Sequence, residues 1–416
     1  MKNKLPIIAL LSLSFNSTAV EHQFKGLIDL RLYSVDAVDN SESYLAGNYG
    51  KYGFDQGSGI SLAQLGLQYH ANWDNGLSAT IVANGYAGGV ENSDNEAIGL
   101  TEAYLSYKSL PNQDGWRYRV KTGIFYPKIS MENIATAWST PYTLTSSSLN
   151  AWLGEEMRST GFEFTLDKLG KFANNDHNFS LDISLFQNND TLGAMLAWHG
   201  WAIGSRQTLM HEKLIVQPFF AREGDLKNQA ALSDPFIELD SKFGGHIVGR
   251  WQYKNTTKFN IGYYDNNANP DVVENGQYTW PTKFIHLGLK VKLTKKTELI
   301  SQFMQGNTYM QSPYGNKVVD NDFKNGFMML RRYWGEHHVA IRLEKFSVDD
   351  LDQTVGDNNN ESGEAFTLSY RYRLTKHSFL QMEYNYLDSV RASRYYLWQP
   401  INLIEQQLQL AYRYYL

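Results

Sequence analysis

Apolar and polar residues alternate along most of the chain, in segments of about ten residues that are separated by turns. In segment 284–293, large apolar residues recur at every second position, and His286, Lys290 and Lys292 lie between them. Segments 116–124, 366–374 and 407–416 repeat this pattern. Because successive side chains of a strand point to opposite faces, the pattern predicts strands with one apolar and one polar face.

The connections between these segments are alternately short and long. The short connections are 73–76, 255–257, 294–297, 334–337 and 375–378. The long connections are 36–57, 127–157, 222–242, 265–282, 306–322, 348–362 and 388–402. Aromatic residues such as Trp116, Trp251 and Trp334 collect near the short turns. A soluble β-sandwich also alternates, but an aromatic girdle next to short periplasmic turns, opposite long extracellular loops, is typical of outer-membrane barrels.

The sequence therefore predicts an all-β fold, a transmembrane antiparallel β-barrel of 16–18 strands with short periplasmic turns and long extracellular loops. The count depends on the stretch 188–242, where we place strands near 196–205 and 213–221, joined by a turn at 206–212. Without that pair the barrel has sixteen strands. A barrel of either size encloses an aqueous lumen, and residues 20–416 form this single domain.

Residues 1–19 have the features of a secretory signal peptide. Lys2 and Lys4 precede a short apolar stretch, and Ser17-Thr18-Ala19 forms a cleavage site of small residues. The chain has no cysteine, which excludes a disulfide scaffold, a thiolate metal site and a cysteine nucleophile. The net charge of −5 offers no basic footprint for nucleic acid. These features predict an exported protein of the bacterial outer membrane.

The alternation also assigns charged residues to the lumen, where bases outnumber acids by twelve to six. The bases are Arg31, Arg117, Arg119, Lys121, Arg250, Lys254, Lys290, Lys292, Arg342, Arg371, Arg373 and Arg413. The acids are Asp29, Glu102, Glu163, Asp182, Glu344 and Glu383. Rings of Arg and Lys favour anions in a pore, with Arg117, Arg119 and Lys121 as the densest ladder. The alternative is a wall of balanced ion pairs, in which Glu102 and Glu163 pair across strands with that ladder.

The longest predicted extracellular connection is 127–157. A loop of about thirty residues is usually functional, and folded into the lumen this one would narrow the pore. Trp138, Tyr142 and Trp152 would then line a constriction and could stack against sugars, so a carbohydrate solute stays open. The alternative is an external loop that packs on its neighbours.

The chain resembles a Gram-negative outer-membrane porin. The run Leu100-Thr101-Glu102-Ala103-Tyr104-Leu105 precedes Val120-Lys121-Thr122-Gly123-Ile124-Phe125-Tyr126-Pro127, and Glu155-Glu156-Met157-Arg158-Ser159-Thr160-Gly161 follows. This region is similar to the core of phosphate-selective porins, and it adds Arg158 to the candidate selectivity residues. A count of 18 strands resembles substrate-specific porins for small carboxylates or amino acids. Porins of this kind are often trimers, so the resemblance leaves a homotrimer open.

We therefore expect a channel for passive diffusion of small hydrophilic solutes, with a preference for anions. We expect no catalysis and no metal or cofactor. The expected partners are outer-membrane lipid and the solutes. Two other classes stay open. A barrel hydrolase would have to use His199 and Ser205, for which no orienting third residue is evident. A structural or adhesion barrel would have a plugged lumen. Asp349, Asp350 and Asp352 could bind Ca²⁺, although a solvated acidic loop is the simpler interpretation.

Overall fold

The computed structural model describes residues 20–37, 51–52, 57–87, 96–217 and 219–416; the predicted signal peptide lies outside them. Sixteen strands of the described chain close one antiparallel barrel, in which each strand pairs with its neighbours in sequence and β20 returns to β1. They are β1 (Val20–Asp36), β2 (Gly57–Trp73), β3 (Leu77–Ala87), β4 (Ile98–Lys108), β5 (Trp116–Phe125), β6 (Ser159–Lys168), β7 (His177–Gln187), β10 (Gly244–Tyr253), β11 (Thr257–Asp265), β14 (Thr282–Thr294), β15 (Thr297–Gln311), β16 (Lys317–Trp334), β17 (His337–Asp350), β18 (Glu361–Arg373), β19 (Ser378–Arg391) and β20 (Asn402–Tyr415). Two short hairpins, β8 (Leu214–Ile215) with β9 (Leu232–Ser233) and β12 (Val273–Glu274) with β13 (Gln277–Tyr278), lie in the long connections.

The predicted alternation is present in the strands and gives the barrel an apolar outer face. On β17, Ile341 and Leu343 are exposed, whereas Arg342 between them is fully buried. The apolar outer face extends about eight residues from the short turns, which at the usual strand rise and tilt is roughly 20 Å, near the height of a membrane band. The next outward residue, Lys345, forms an exposed ion pair with Glu364 on β18 at 2.8 Å. Trp116 and Trp334 lie outward near the short turns, as the girdle predicted.

The two strands predicted near 196–205 and 213–221 are wrong, so the barrel has the lower of the two predicted strand numbers. This stretch contains the short helix α2 (Ala194–Trp198) and the two-residue strand β8 instead. Met195, Leu196 and Trp201 are almost fully buried, and Leu196 and Trp201 pack in one core with residues of the barrel wall. The apolar spacing here therefore reflects burial on several sides inside the barrel, and not a membrane-facing strand.

The predicted long loop 306–322 is also wrong. β15 continues to Gln311 and β16 begins at Lys317, which leaves only five residues between them. The polar residues that suggested a loop pair with one another across the two strands: the Asn307 amide donates to Asp320 at 3.1 Å and to Asp322 at 2.9 Å. The hairpin therefore extends beyond the apolar band with its polar side chains satisfied.

The core that contains Leu196 and Trp201 lies inside the barrel and also includes residues of a second inserted helix. The helix α1 (Ser148–Glu156) begins after Ser147, whose hydroxyl accepts from the Asn150 N–H, and every residue of α1 is buried. Its apolar side chains pack with inward-facing aromatic residues of the wall, including Phe186, Tyr264 and Phe284. Among the described residues, no helix is long and apolar enough to cross a membrane.

Candidate functional site in the barrel lumen

The predicted basic ladder lies on the inner wall near the periplasmic end. Arg117, Arg119 and Lys121 occupy alternate inward positions of β5, because the outward positions hold Trp116, Tyr118 and Val120. With residues of β2, β3, β4 and β6 they line a cavity of about 740 Å³. The charged residues of its lining are Lys108, Arg117, Arg119, Lys121, Lys128, Lys171 and Glu163. Six bases and one acid therefore face this space.

Acidic partners lie behind the ladder and are more buried than the bases. Asp167 accepts from both Arg117, at 2.8 Å, and Arg119, at 3.1 Å, and its side chain is 3% exposed against 21% and 31% for the two arginines. Glu163, also 3% exposed, pairs with Lys121 at 3.3 Å. The predicted pairing of Lys121 with Glu163 is therefore present. The bases are therefore more exposed to the cavity than the acids with which they pair.

Lys128 connects this wall to the inserted segment, and the sequence analysis missed it. Its ammonium contacts Glu163 at 2.7 Å, Asp182 at 2.6 Å and the Thr165 hydroxyl at 3.0 Å. Asp182 also accepts from Arg250 on β10 at 2.5 Å. Lys128 lies one residue past the end of the predicted strand motif, so alternation assigned it no face.

The basic wall continues past β10. Lys258 on β11 is directly opposite Lys290 on β14 in the strand register, and like charges in that position repel each other. Glu298 pairs with Lys290 at 3.6 Å and with Arg331 at 3.0 Å, which leaves Lys258 as the base of this group for which no ion pair is seen among the described residues. Lys258 and Arg331 were not among the predicted residues, although both occupy inward positions.

The connection 127–157 lies inside the barrel, and arginines of the opposite wall bind its backbone. Arg413 donates to the carbonyl of Thr140 at 2.9 Å, Arg371 to that of Pro141 at 2.6 Å, and Arg31 to that of Leu144 at 2.9 Å. Arg342 donates to the carbonyl of Thr145 at 2.7 Å. We call Arg31, Arg342, Arg371 and Arg413 the arginine clamp.

Carboxylates of the same wall bind the N–H groups of this segment. Glu383 accepts from the N–H groups of Leu144, at 2.5 Å, and Thr145, at 2.9 Å. Glu344 accepts from the N–H of Ser148 at 2.7 Å. The irregular backbone thus exchanges hydrogen bonds with wall side chains in place of a neighbouring strand.

The three aromatic residues predicted for a constriction lie in different surroundings. Tyr142 lies at the clamp, where its hydroxyl accepts from Lys290 at 2.7 Å. Trp138 stacks on Tyr126 with ring centroids 4.1 Å apart. Trp152 is in the α1 core, 2% exposed, and donates to Glu156 at 2.5 Å.

Arg158 and Glu102 lie where β4 meets the inserted segment, and Arg158 is too buried to face a solute. Arg158 is fully buried, donates to the carbonyls of Thr101 and Thr208 at 3.1 and 3.0 Å, and lies 3.6 Å over the Tyr126 ring. Glu102 accepts from the Tyr126 N–H at 3.4 Å. Both residues join β4 to the base of the inserted segment.

Three predicted lumen bases lie at the periplasmic rim instead. Lys254 is in the turn between β10 and β11 with positive φ and pairs with Asp176 at 3.1 Å. Arg373 pairs with Glu336 in the turn after β16 and is 43% exposed. Lys292 is exposed near the end of β14. Alternation predicts the side of a strand, but these three residues lie in a turn or close to a strand end, where a side chain no longer has to face the lumen.

His199 and Ser205 bind different partners. His199 Nδ1 lies 2.8 Å from Glu155 and Nε2 lies 3.0 Å from the carbonyl of Ile215. The Ser205 hydroxyl accepts from Arg31 at 3.2 Å. In this arrangement His199 is not placed to remove a proton from Ser205, as a hydrolase would require.

Comparisons with known proteins identify the class of fold. The chain is similar to the outer membrane channel DcaP of Acinetobacter baumannii, with TM-score 0.57, 11% identity and coverage of 95% of this chain and 97% of that one. It is similar to OmpF of Salmonella typhi in complex with daunomycin, with TM-score 0.55, 11% identity and the same two coverages. It is similar to OmpT of Vibrio cholerae in a trimer form, with TM-score 0.53, 9% identity and coverage of 96% and 100%.

No protein-family model matches the chain, and no curated protein matches it. The chain therefore has the porin-like barrel fold of bacterial outer-membrane channels, as its resemblance to porins predicted. At such low identity the likeness concerns the fold.

Proposed function

We propose that this chain is an outer-membrane channel for the passive diffusion of small hydrophilic solutes, with a preference for anions. The observation that carries the preference is the layered charge of the basic ladder, where bases facing a cavity of about 740 Å³ cover buried acids. Such a wall raises the local concentration of anions. The apolar outer face supports outer-membrane lipid as the surroundings of the barrel.

The test is single-channel recording of the refolded mature barrel in a planar bilayer with a salt gradient. We expect discrete openings and a reversal potential of the sign that anion flux produces. Openings with cation selectivity would leave the channel and remove the anion preference. A homotrimer, which the trimer form of the Vibrio cholerae protein supports by fold alone, would give openings in groups of three.

A second candidate function is a closed barrel with a structural or adhesive role. The observation that favours it is the core inside the barrel, where α1 and α2 pack against wall residues such as Phe186, Phe284 and Phe323. The same recording separates the two candidates, because a folded barrel that never opens under voltage supports the closed form.

A further inference from the structure

A second cavity lies on the extracellular side, away from the basic ladder. Its volume is about 490 Å³, and its lining comes from the connection between β17 and β18 together with Phe220 and Tyr396. The carboxylates in the lining belong to Asp350, Asp352 and Asp357. The described part of the lining contains no base, so its charge is opposite to that of the periplasmic cavity.

Asp357 is the unusual residue of this cavity. It is 3% exposed, and no donor of the described residues forms a hydrogen bond with its Oδ2. Burial raises the pKa of Asp357 to about 7; Asp352 and Asp350 add to the rise, whereas the Asn359 amide and the Arg391 guanidinium oppose it. A buried carboxylate that forms no ion pair is costly, and a positive group in the cavity would relieve that cost.

The other two carboxylates are held in place by backbone N–H groups. Asp350 accepts from the N–H groups of Asp352 at 3.1 Å and Asn359 at 2.8 Å. Asp352 accepts from those of Thr354 at 2.8 Å and Asp320 at 2.9 Å. The arrangement therefore exists without a ligand, and both carboxylates keep unused acceptor capacity.

The aromatic residues and the spacing of the acids indicate the kind of cation. Phe220 is 57% exposed, and its ring packs so closely on Gly356 that a Cβ there would lie 2.4 Å from it. Aromatic faces beside carboxylates attract ammonium groups. Three acids whose carboxylate oxygens all lie within 4.8 Å of one another occur in the described chain at Asp190, Glu238 and Asp240, and not at this cavity. A single metal ion would therefore fit poorly.

We propose that this extracellular cavity binds a small organic cation, with the ammonium group at Asp357 and the apolar part against Phe220 and Tyr396. The site is independent of the proposed anion path, because it lies at the opposite end of the barrel and is formed by extracellular connections. It gives the channel mouth a receptor for amines.

The experiment is calorimetric titration of the folded full barrel in detergent with benzylammonium as the probe. Neutral benzyl alcohol and anionic benzoate have nearly the same size and serve as ligand controls. The variant is Asp357→Asn, and the matched control is Asp349→Asn, since Asp349 is exposed on the same edge but outside the lining. Circular dichroism confirms that each variant is folded.

We expect binding of benzylammonium alone, weakened at least tenfold by Asp357→Asn and unchanged by Asp349→Asn. Equal binding of benzyl alcohol, an unaffected Asp357→Asn variant, or saturation by Ca²⁺ that excludes the amine would each overturn the proposal.

A second measurement needs no variant. The groups around Asp357 that carry charge or titrate are Asp350, Asp352, Arg391 and Tyr396. Cation binding requires the ionised form of Asp357, so affinity should fall as pH decreases through 7. From the ionised fraction of Asp357 alone, the fall between pH 8 and pH 6 is about tenfold. An affinity that stays constant over this range would contradict the role of Asp357.

Discussion

The lumen contains two sets of bases that alternation cannot tell apart, the basic ladder on β5 and the arginine clamp on β1, β17, β18 and β20. The ladder arginines Arg117 and Arg119 keep 21% and 31% of their side chains exposed and face a cavity. The clamp arginines Arg342 and Arg413 are 0% and 1% exposed and bind carbonyls of the inserted segment. Both sets occupy inward strand positions, yet of these four arginines only the two of the ladder keep a sizeable part of their side chains exposed.

This difference shows that a charged residue on an inward strand position is not always accessible to a solute. In Arg342 and Arg413 of the clamp, carbonyls and carboxylates accept hydrogen bonds from the guanidinium groups, so these arginines hold the inserted segment in place. In the ladder, the arginine side chains stay partly exposed, so under the proposed function they are the ones that would act on mobile ions. A count of inward bases therefore overstates the positive charge that a solute meets.

The largest expected effect comes from removing a clamp arginine. Arg342 pairs with Glu344 at 2.7 Å and Glu132 at 3.6 Å, and all three side chains are fully buried. Arg342→Ala leaves two buried carboxylates without their cation, so we expect the free energy of unfolding to fall by about 3–5 kcal/mol. Denaturant titration of the folded barrel measures this loss. We also expect larger, noisier openings in the bilayer, because the inserted segment loses an anchor.

Arg332 provides the matched control for this prediction. It lies on β16, shortly before the turn that leads into β17 and Arg342. Its side chain points outward and is exposed. Arg332→Ala should leave both the unfolding free energy and the conductance near the wild-type values. Equal losses in both variants would show that the clamp has no special role.

The next effect concerns selectivity at the ladder. Arg119→Glu replaces a half-exposed base with an acid beside Asp167, so anions near the cavity lose an attraction of about 1 kcal/mol. We expect the anion-to-cation permeability ratio to fall roughly fivefold, with little change in stability. The reversal potential in a salt gradient measures the ratio. The control variant Arg332→Glu should leave the permeability ratio unchanged. If Arg119→Glu changed stability but not selectivity, the proposed difference between ladder and clamp would be wrong.

Much of the fold could be predicted from the sequence. Period-two patterning over strands such as β5, β14, β18 and β20 predicted the faces, and the short turns predicted the pairing of neighbours. The same reasoning failed between β7 and β10, because residues buried inside a barrel, such as Leu196 and Trp201, carry an apolar pattern that resembles a membrane strand. The local sequence pattern predicts that a residue is in apolar surroundings. It does not predict whether those surroundings are the membrane or the interior of the barrel.

The candidate site was less predictable, for a physical reason. Alternation found the inward positions of Arg117, Arg342 and Arg413, but exposure depends on where an inserted segment of about thirty residues settles. That position is fixed by contacts far apart in sequence, such as Thr145 with Glu383. Lys128 was missed because it lies in that segment, where no strand pattern assigns a face.

The smallest expected effect on stability is at Arg371, and this residue also tests most closely the difference between the clamp and the ladder. This clamp residue is only half-buried: it donates to the Pro141 carbonyl at 2.6 Å, and its Nε has no hydrogen-bond partner among the residues that the structure describes. Arg371→Gln removes one charge-assisted hydrogen bond, so we expect the unfolding free energy to fall by about 1 kcal/mol. If Arg371 belongs with Arg342, the permeability ratio stays within the error of the wild type. A shift in selectivity comparable with that of Arg119→Glu would instead place Arg371 in the solute path, and the boundary between clamp and ladder would then run through β18.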